Sequence, residues 1–201
     1  MNRKFILPAL CGCLFWLIPG DAEAHLVETS CGPFYNGLCH PFVTPADLLI
    51  VLSLALLGGS AGPAVGRTLL FSLTLSWLAG SVWGHGWLDR SFALPVAVSA
   101  AVSLVAALLL AADVRCPKML LGSLGVAAGL GLGLANGVEF RSVNGGALAL
   151  AGTVTCVFIV TTWVAALAVK NDHGWQRIVV RVAGSWIAAA SLLMIGWELR
   201  K

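Results

Sequence analysis

Six apolar runs of about 20 residues follow one another through most of this 201-residue chain, and they limit its fold more than any other feature. A run of that length forms a helix long enough to cross the hydrocarbon core of a bilayer. Inside a bilayer the backbone must satisfy its own hydrogen bonds, which an α-helix does. The sequence therefore predicts an all-α membrane protein, a six-helix bundle. The predicted spans are 46–66, 68–84, 91–112, 119–137, 146–169 and 178–197.

The composition supports this class of protein. Apolar residues make up 59% of the chain and charged residues only 10%. A soluble protein of this length could not bury so much apolar surface. The net charge of +3 is small and the basic residues are scattered among short loops. The chain is therefore predicted to have a lipid bilayer as its partner and to bind no nucleic acid.

The first 24 residues have the pattern of a cleaved secretory signal peptide. A basic start at Arg3 and Lys4 precedes an apolar run over 5–19, and Ala22-Glu23-Ala24 has the A-x-A form of a cleavage site. An uncleaved first helix is the alternative. Cleavage would make His25 the N-terminal residue, whose α-amine and imidazole together can chelate a divalent metal. The predicted organisation is a signal peptide 1–24, a periplasmic N-terminal segment 25–45 and a six-helix transmembrane domain 46–201.

Loop charge predicts how the bundle is oriented. Cytoplasmic loops of membrane proteins carry an excess of Lys and Arg. With the N-terminus outside, the inner loops hold Arg67, Arg115, Lys118, Lys170 and Arg177, whereas the outer loops hold only Arg90 and Arg141. This bias predicts a multi-pass protein of the bacterial inner membrane whose mature N-terminus and C-terminus are both periplasmic.

The periplasmic segment 25–45 is expected to be extended or turned rather than helical, because Pro41 and Pro45 interrupt it. Cys31 and Cys39 lie in this segment, and disulfides persist in an oxidising compartment. A bridge between them is the favoured expectation, and metal binding by the two thiols is the alternative.

Several potential metal ligands fall on the predicted outer face. His40 offers an imidazole and Asp47 a carboxylate, and a loop with two prolines can bring them together. They are the predicted first-contact ligands, with His25 as an auxiliary. The further candidates are Glu139, His85 and Asp89.

Asp47, His85 and Asp89 also have an ordinary structural interpretation. Thr44-Pro45-Ala46-Asp47 fits a helix start, with Thr44 as N-cap, proline at N1 and an acid at N3 that reaches back to the cap. His85 and Asp89 fit a solvated loop.

The predicted spans contain no central ionisable side chain that could serve a proton relay. No nucleophile and base occur at an informative spacing, so the chain is predicted not to be an enzyme.

Glycine spacing predicts where helices approach closely. Glycine recurs every fourth residue in the fourth span, which gives one smooth helix face. These positions are Gly125, Gly129, Gly133 and Gly137.

The segment Phe34-Tyr35-Asn36-Gly37-Leu38-Cys39-His40-Pro41 has the form aromatic-x-x-Gly-x-x-His-Pro, and His25 directly follows the predicted cleavage site at Ala24. In both features the chain resembles the HupE/UreJ family of membrane proteins. The number of spans and the stretch 181–189 also match. The family's H-P-x-x-G-x-D-H pattern departs here, with Ala46 at the acid position and Asp47 at the second His. In the family's H-G-x-A-H-G-x-E pattern, Leu132 and Asn136 replace both histidines and Glu139 is retained.

The resemblance implies nickel or cobalt uptake for hydrogenase or urease. We therefore interpret the chain as a permease-like protein that binds or passes Ni²⁺ or Co²⁺ from the periplasmic side, with no permanently bound cofactor. A divalent metal ion and a metalloenzyme maturation factor are the implied partners. The alternative is a non-transporting scaffold or accessory protein that binds a partner through its periplasmic segment.

Overall fold

A computed structural model describes residues 31–89, 91–171 and 173–200, and the structural statements below refer to these residues. The predicted signal peptide 1–24 and His25 lie outside them. The described part of the chain is all-α and has no strand, as predicted. Its helices are α1 Pro33–Val43, α2 Pro45–Ser60, α3 Pro63–Gly86, α4 Val96–Ala111, α5 Lys118–Glu139, α6 Gly146–Lys170 and α7 Gly174–Glu198, with a 3₁₀ turn at Phe140–Ser142.

The helices fit a multi-pass membrane protein. Within the described ranges α3, α6, α7 and the stretch from α5 through the 3₁₀ turn are each long and apolar enough to cross a bilayer. Helices α1 and α2 pass the same test together but are bent by 74°, as in a broken span or a re-entrant loop. Helix α4 is apolar but has only 16 residues. Helices α2 to α7 correspond to the six predicted spans, and the count of six crossings remains a prediction.

The expectation that segment 25–45 is extended or turned is wrong for Pro33–Val43, which form helix α1. Proline is tolerated at the first helical position, where Pro33 lies, but Pro41 lies inside the helix and cannot donate to the carbonyl of Gly37. That carbonyl instead accepts a hydrogen bond from Thr153 Oγ1 of α6, at 3.0 Å. A distant hydroxyl thus replaces the bond that the proline removes.

The expected disulfide between Cys31 and Cys39 is also wrong, because both are free thiols. Cys31 is exposed and precedes α1. Cys39 lies within α1 and is partly buried. The helix that replaces the expected loop therefore places the two thiols apart.

Glycines lie where neighbouring helices approach each other closely. A Cβ at Gly133 of α5 would overlap the carbonyl oxygen of Trp77 on α3, and one at Gly129 would overlap that of Leu73. The predicted close approach along the fourth span is confirmed. Helix α1 packs on α6 in the same way, because Gly37 lies against the backbone of Ala149. This packing holds the end of α1 inside the bundle.

Candidate functional site

Four polar side chains meet where the end of α1, the first turn of α2 and the last turn of α5 come together. They are His40, Asp47, Asn136 and Glu139, called the four-residue cluster below. Asn136 Nδ2 donates to Asp47 Oδ2 at 3.0 Å, and His40 Nε2 donates to Asn136 Oδ1 at 3.2 Å. His40 Nε2 also lies 3.9 Å from Asp47 Oδ2 and 3.8 Å from Glu139 Oε2.

Burial is uneven across the cluster. His40, Asp47 and Asn136 are only 4%, 3% and 4% exposed. The Glu139 side chain is 38% exposed. Two carboxylates therefore lie near one imidazole, with Glu139 at the opening and the other three side chains behind it. Such an arrangement favours the approach of a cation.

The bend between α1 and α2 creates this geometry. A residue before proline is disfavoured in the helical conformation, and Thr44, before Pro45, is extended at φ −105° and ψ 92°. The chain therefore turns by 74° between the two helices, which brings Asp47 back towards His40. The Thr44 hydroxyl lies 3.4 Å from His40 Nε2. The ring of Phe140 meets the imidazole edge-on, with centroids 4.9 Å apart.

The helix-start interpretation of Asp47 is confirmed in part. Thr44 is the N-cap, Pro45 opens α2 and Asp47 lies in its first turn. However, no side-chain hydrogen bond is made at this cap. The Asp47 carboxylate accepts from Asn136 instead. The expected reciprocal cap is therefore wrong, and Asp47 belongs to the cluster.

Arg141 fixes the loop beyond Glu139, a role that the sequence analysis missed. Its guanidinium donates to the carbonyl oxygens of Gly84, His85 and Leu88, at 3.0, 2.7 and 2.9 Å. These carbonyls lie at and just beyond the end of α3, where the last carbonyls of a helix have no intrahelical donor. No spacing pattern in the sequence indicates these partners, because the sequence shows Arg141 only as a basic residue of a predicted outer loop.

A cleft of about 520 Å³ opens beside the cluster. Asp47, Asn136 and Glu139 line it together with Phe92 from the segment before α4 and Ser99 on α4. Small solutes in this cleft can therefore reach three of the four cluster residues, whereas His40 does not line it.

The remaining candidates lie elsewhere. His85 is in the last turn of α3, and its Nδ1 is buried without a hydrogen-bond partner. Asp89 follows α3, and its Oδ1 accepts from the backbone N–H of Ser91 at 3.2 Å. Neither has a hydrogen bond or ion pair to the four-residue cluster, and His25 lies outside the described residues.

The cluster is not a ready-made metal site. Over the ranges that the structure covers, no group of three or more His, Cys, Asp or Glu side chains is arranged to hold a metal ion. Asn136 lies between His40 and Asp47 and bonds to both. A cation would have to displace these hydrogen bonds to reach the imidazole and the carboxylate.

Comparison with known proteins gives one result. No curated protein and no solved structure gives a significant match to the chain. The profile of the HupE / UreJ protein family matches residues 13–194, which is nearly the whole chain. The chain belongs to the HupE/UreJ family.

Proposed function

We propose that this protein binds a divalent transition metal, nickel or cobalt, at the four-residue cluster and passes it inward from the periplasmic side of a bacterial inner membrane. One observation carries the proposal. The two segments by which the chain resembles its family, 34–41 and 132–139, are far apart in sequence, yet their polar residues meet at one point. The family is associated with nickel or cobalt transport or an accessory role.

The separations between the donor atoms suit a cation. A metal bound at about 2.1 Å holds its ligand atoms up to about 4.2 Å apart. His40 Nε2 lies within that range of Asp47 Oδ2, at 3.9 Å, and of Glu139 Oε2, at 3.8 Å. Small side-chain movements could therefore place all three around one ion.

Binding would exchange one set of bonds for another. The metal would take the Nε2 lone pair of His40, so the imidazole proton would reside on Nδ1. The Asn136 amide would turn its oxygen to the ion, and Asp47 would lose the amide N–H that it accepts now. The site would thus form as the cation enters.

The donor set also suggests a preference. One imidazole nitrogen and three oxygens make a harder site than one rich in histidine, and oxygen ligands suit harder cations. Asn136, at a position where the family pattern has histidine, is the residue that shifts this balance. We therefore propose that discrimination in favour of nickel is weak in this protein.

The wider transport scheme follows the sequence expectations. We propose six crossings, with α4 as the shortest and α1 entering the bundle from the outer face. His40 and Glu139 would then lie at the periplasmic mouth, and both mature termini would be periplasmic after cleavage of the signal. No proton relay or ATP-binding motif is predicted, so transport would be facilitated diffusion or would depend on a partner, and no enzymatic step is proposed.

Uptake of radiolabelled Ni²⁺ and Co²⁺ by cells expressing the protein tests this function. His40→Ala, Asp47→Asn and Glu139→Gln should each reduce uptake, while the matched variants Asp89→Asn and His173→Ala should not. If all five variants take up metal as the parent does, the cluster is not the metal's point of entry.

A non-transporting accessory role is the second candidate, and one observation favours it. Asn136 already satisfies both His40 and Asp47, so the cluster is complete without a cation. In this role the periplasmic segment would bind a metalloenzyme maturation partner. Membrane-inserted protein that takes up neither metal would support this candidate.

A further inference from the structure

Five buried polar side-chain atoms of α3 and α6 have no hydrogen-bond partner. Four of them lie on α3: Thr74 Oγ1, Trp77 Nε1, Ser81 Oγ and His85 Nδ1. A fifth, Thr161 Oγ1, lies on α6, which packs against α3. Trp77 and Thr161 are completely buried, and Ser81 is 1% exposed.

The α3 members share one face of their helix. They are spaced three or four residues apart, and such residues lie above one another on a helix. From Thr74 to His85 the row extends about 16 Å along the helix axis, at 1.5 Å per residue. This is about half the thickness of the hydrocarbon core. These five residues are called the α3–α6 seam, and its polar groups on α3 extend over about half the thickness of the hydrocarbon core.

A cleft opens at each end of the α3–α6 seam. At the end of α3 and the start of α6, Ser81 and His85 line a cleft of about 370 Å³ with Leu150. At the start of α3 and the end of α6, Leu70 and Thr162 line one of about 280 Å³. The unpartnered atoms of Trp77, Thr74 and Thr161 lie along the helices between these two clefts.

Unpaired polar atoms are unfavourable in a membrane interior, where no bulk water can satisfy them. Buried polar atoms of this kind are commonly satisfied by ordered water, which needs two to four polar partners. Hydroxyls donate and accept, an indole N–H donates, and a histidine Nδ1 does one or the other. The five groups together supply the mixture of donors and acceptors that a row of water molecules requires.

We propose that internal water molecules occupy the α3–α6 seam from His85 to Thr161 and connect the two clefts. The seam is separate from the four-residue cluster and does not suit a bare cation. It offers no carboxylate, Trp77 can only donate, and Arg67 lines the far cleft. Water is therefore its occupant, and the bundle has a hydrated passage beside its cation site.

Radiolytic hydroxyl-radical footprinting of the full chain in nanodiscs tests the proposal, because radicals formed from internal water label the side chains beside it. Trp77 and Phe140 are both completely buried, so bulk radicals reach neither. After correction for intrinsic reactivity, Trp77 should be labelled clearly more than Phe140. A Thr74→Val/Ser81→Ala variant should lose most of the Trp77 label.

Two outcomes would overturn the proposal: Trp77 labelled no more than Phe140, or unchanged labelling in a correctly folded double variant. The comparison of Trp77 with Phe140 in the parent protein tests the proposal even if the double variant does not fold. His40→Ala should leave the Trp77 label unchanged, so the result is independent of whether the four-residue cluster binds metal.

Discussion

Helix α1 contains Pro41, which disfavours a helix, and a hydrogen bond from the Thr153 hydroxyl of α6 stabilises it. Pro41 has no N–H for the Gly37 carbonyl, and Thr153 Oγ1 supplies the missing donor at 3.0 Å. Thr153→Val keeps the shape of the side chain and removes only the hydroxyl, which also lies 3.2 Å from the carbonyl oxygen of Ala149 in its own helix. We expect it to weaken the docking of α1 on α6 and so to destabilise the protein.

The size of the effect follows from what the carbonyl loses. Leaving a buried acceptor unpaired costs about 1–3 kcal/mol. Side-chain hydrogen bonds measured within membranes average lower, about 0.6 kcal/mol with a maximum near 1.7. Because Gly37 is buried and Pro41 offers no N–H to its carbonyl, we expect about 1 kcal/mol of lost unfolding free energy. Thr155→Val is the matched control, since its hydroxyl only bonds to Ala151 within the same helix, at 2.7 Å.

Unfolding by sodium dodecyl sulfate in mixed micelles measures the difference. Pro41→Ala restores an N–H to residue 41, so Thr153→Val should have little effect in that background. The resulting coupling should be about 1 kcal/mol, the value of one buried hydrogen bond. If Thr153→Val is no more destabilising than Thr155→Val, or if Pro41→Ala does not reduce its effect, the explanation of α1 is incorrect.

Three further predictions concern the cluster and its supports. Asn136→His should increase binding of Ni²⁺ relative to Mn²⁺ in competition experiments, because imidazole replaces a harder oxygen donor; an unchanged ratio would show that Asn136 does not contact the ion. Arg141→Ala should lower unfolding free energy by about 1.5–3 kcal/mol, because hydrogen bonds from a charged donor to the end of α3 are lost; a stability equal to the parent's in a denaturant titration would contradict this. Gly133→Ala should destabilise by about 1–3 kcal/mol through overlap with the Trp77 carbonyl, whereas Gly131→Ala, where a Cβ meets only the Leu94 side chain at 3.6 Å, should be tolerated in the same titration.

Local patterns in the sequence predicted much of the fold. Apolar runs correspond to α2 through α7, because length and hydropathy are properties of each segment alone. The glycine spacing on α5 likewise predicted its close approach to α3. Helix α1 was missed because proline disfavours a helix locally, and its compensation comes from Thr153, 116 residues beyond Gly37.

The candidate site was predictable only in part. Proximity of His40 and Asp47 followed from their spacing around two prolines, and Glu139 was among the candidates. In the sequence Asn136 is only a position where the family's histidine is missing, yet in the structure it bridges His40 and Asp47. The expected disulfide failed for a related reason, since a helix separates Cys31 from Cys39 where a loop was expected.

Metal binding to the purified full-length chain is the most direct test of the central claim. Titration of the protein in nanodiscs with NiCl₂ and CoCl₂, followed by isothermal calorimetry, should reveal a single cation site. Affinity should fall by about tenfold or more in His40→Ala and Glu139→Gln, as when a ligand or its supporting partner is removed, and should be unchanged in His173→Ala. Absence of binding to the folded parent protein, or equal affinity in His40→Ala, would contradict the assignment of the four-residue cluster as a cation site.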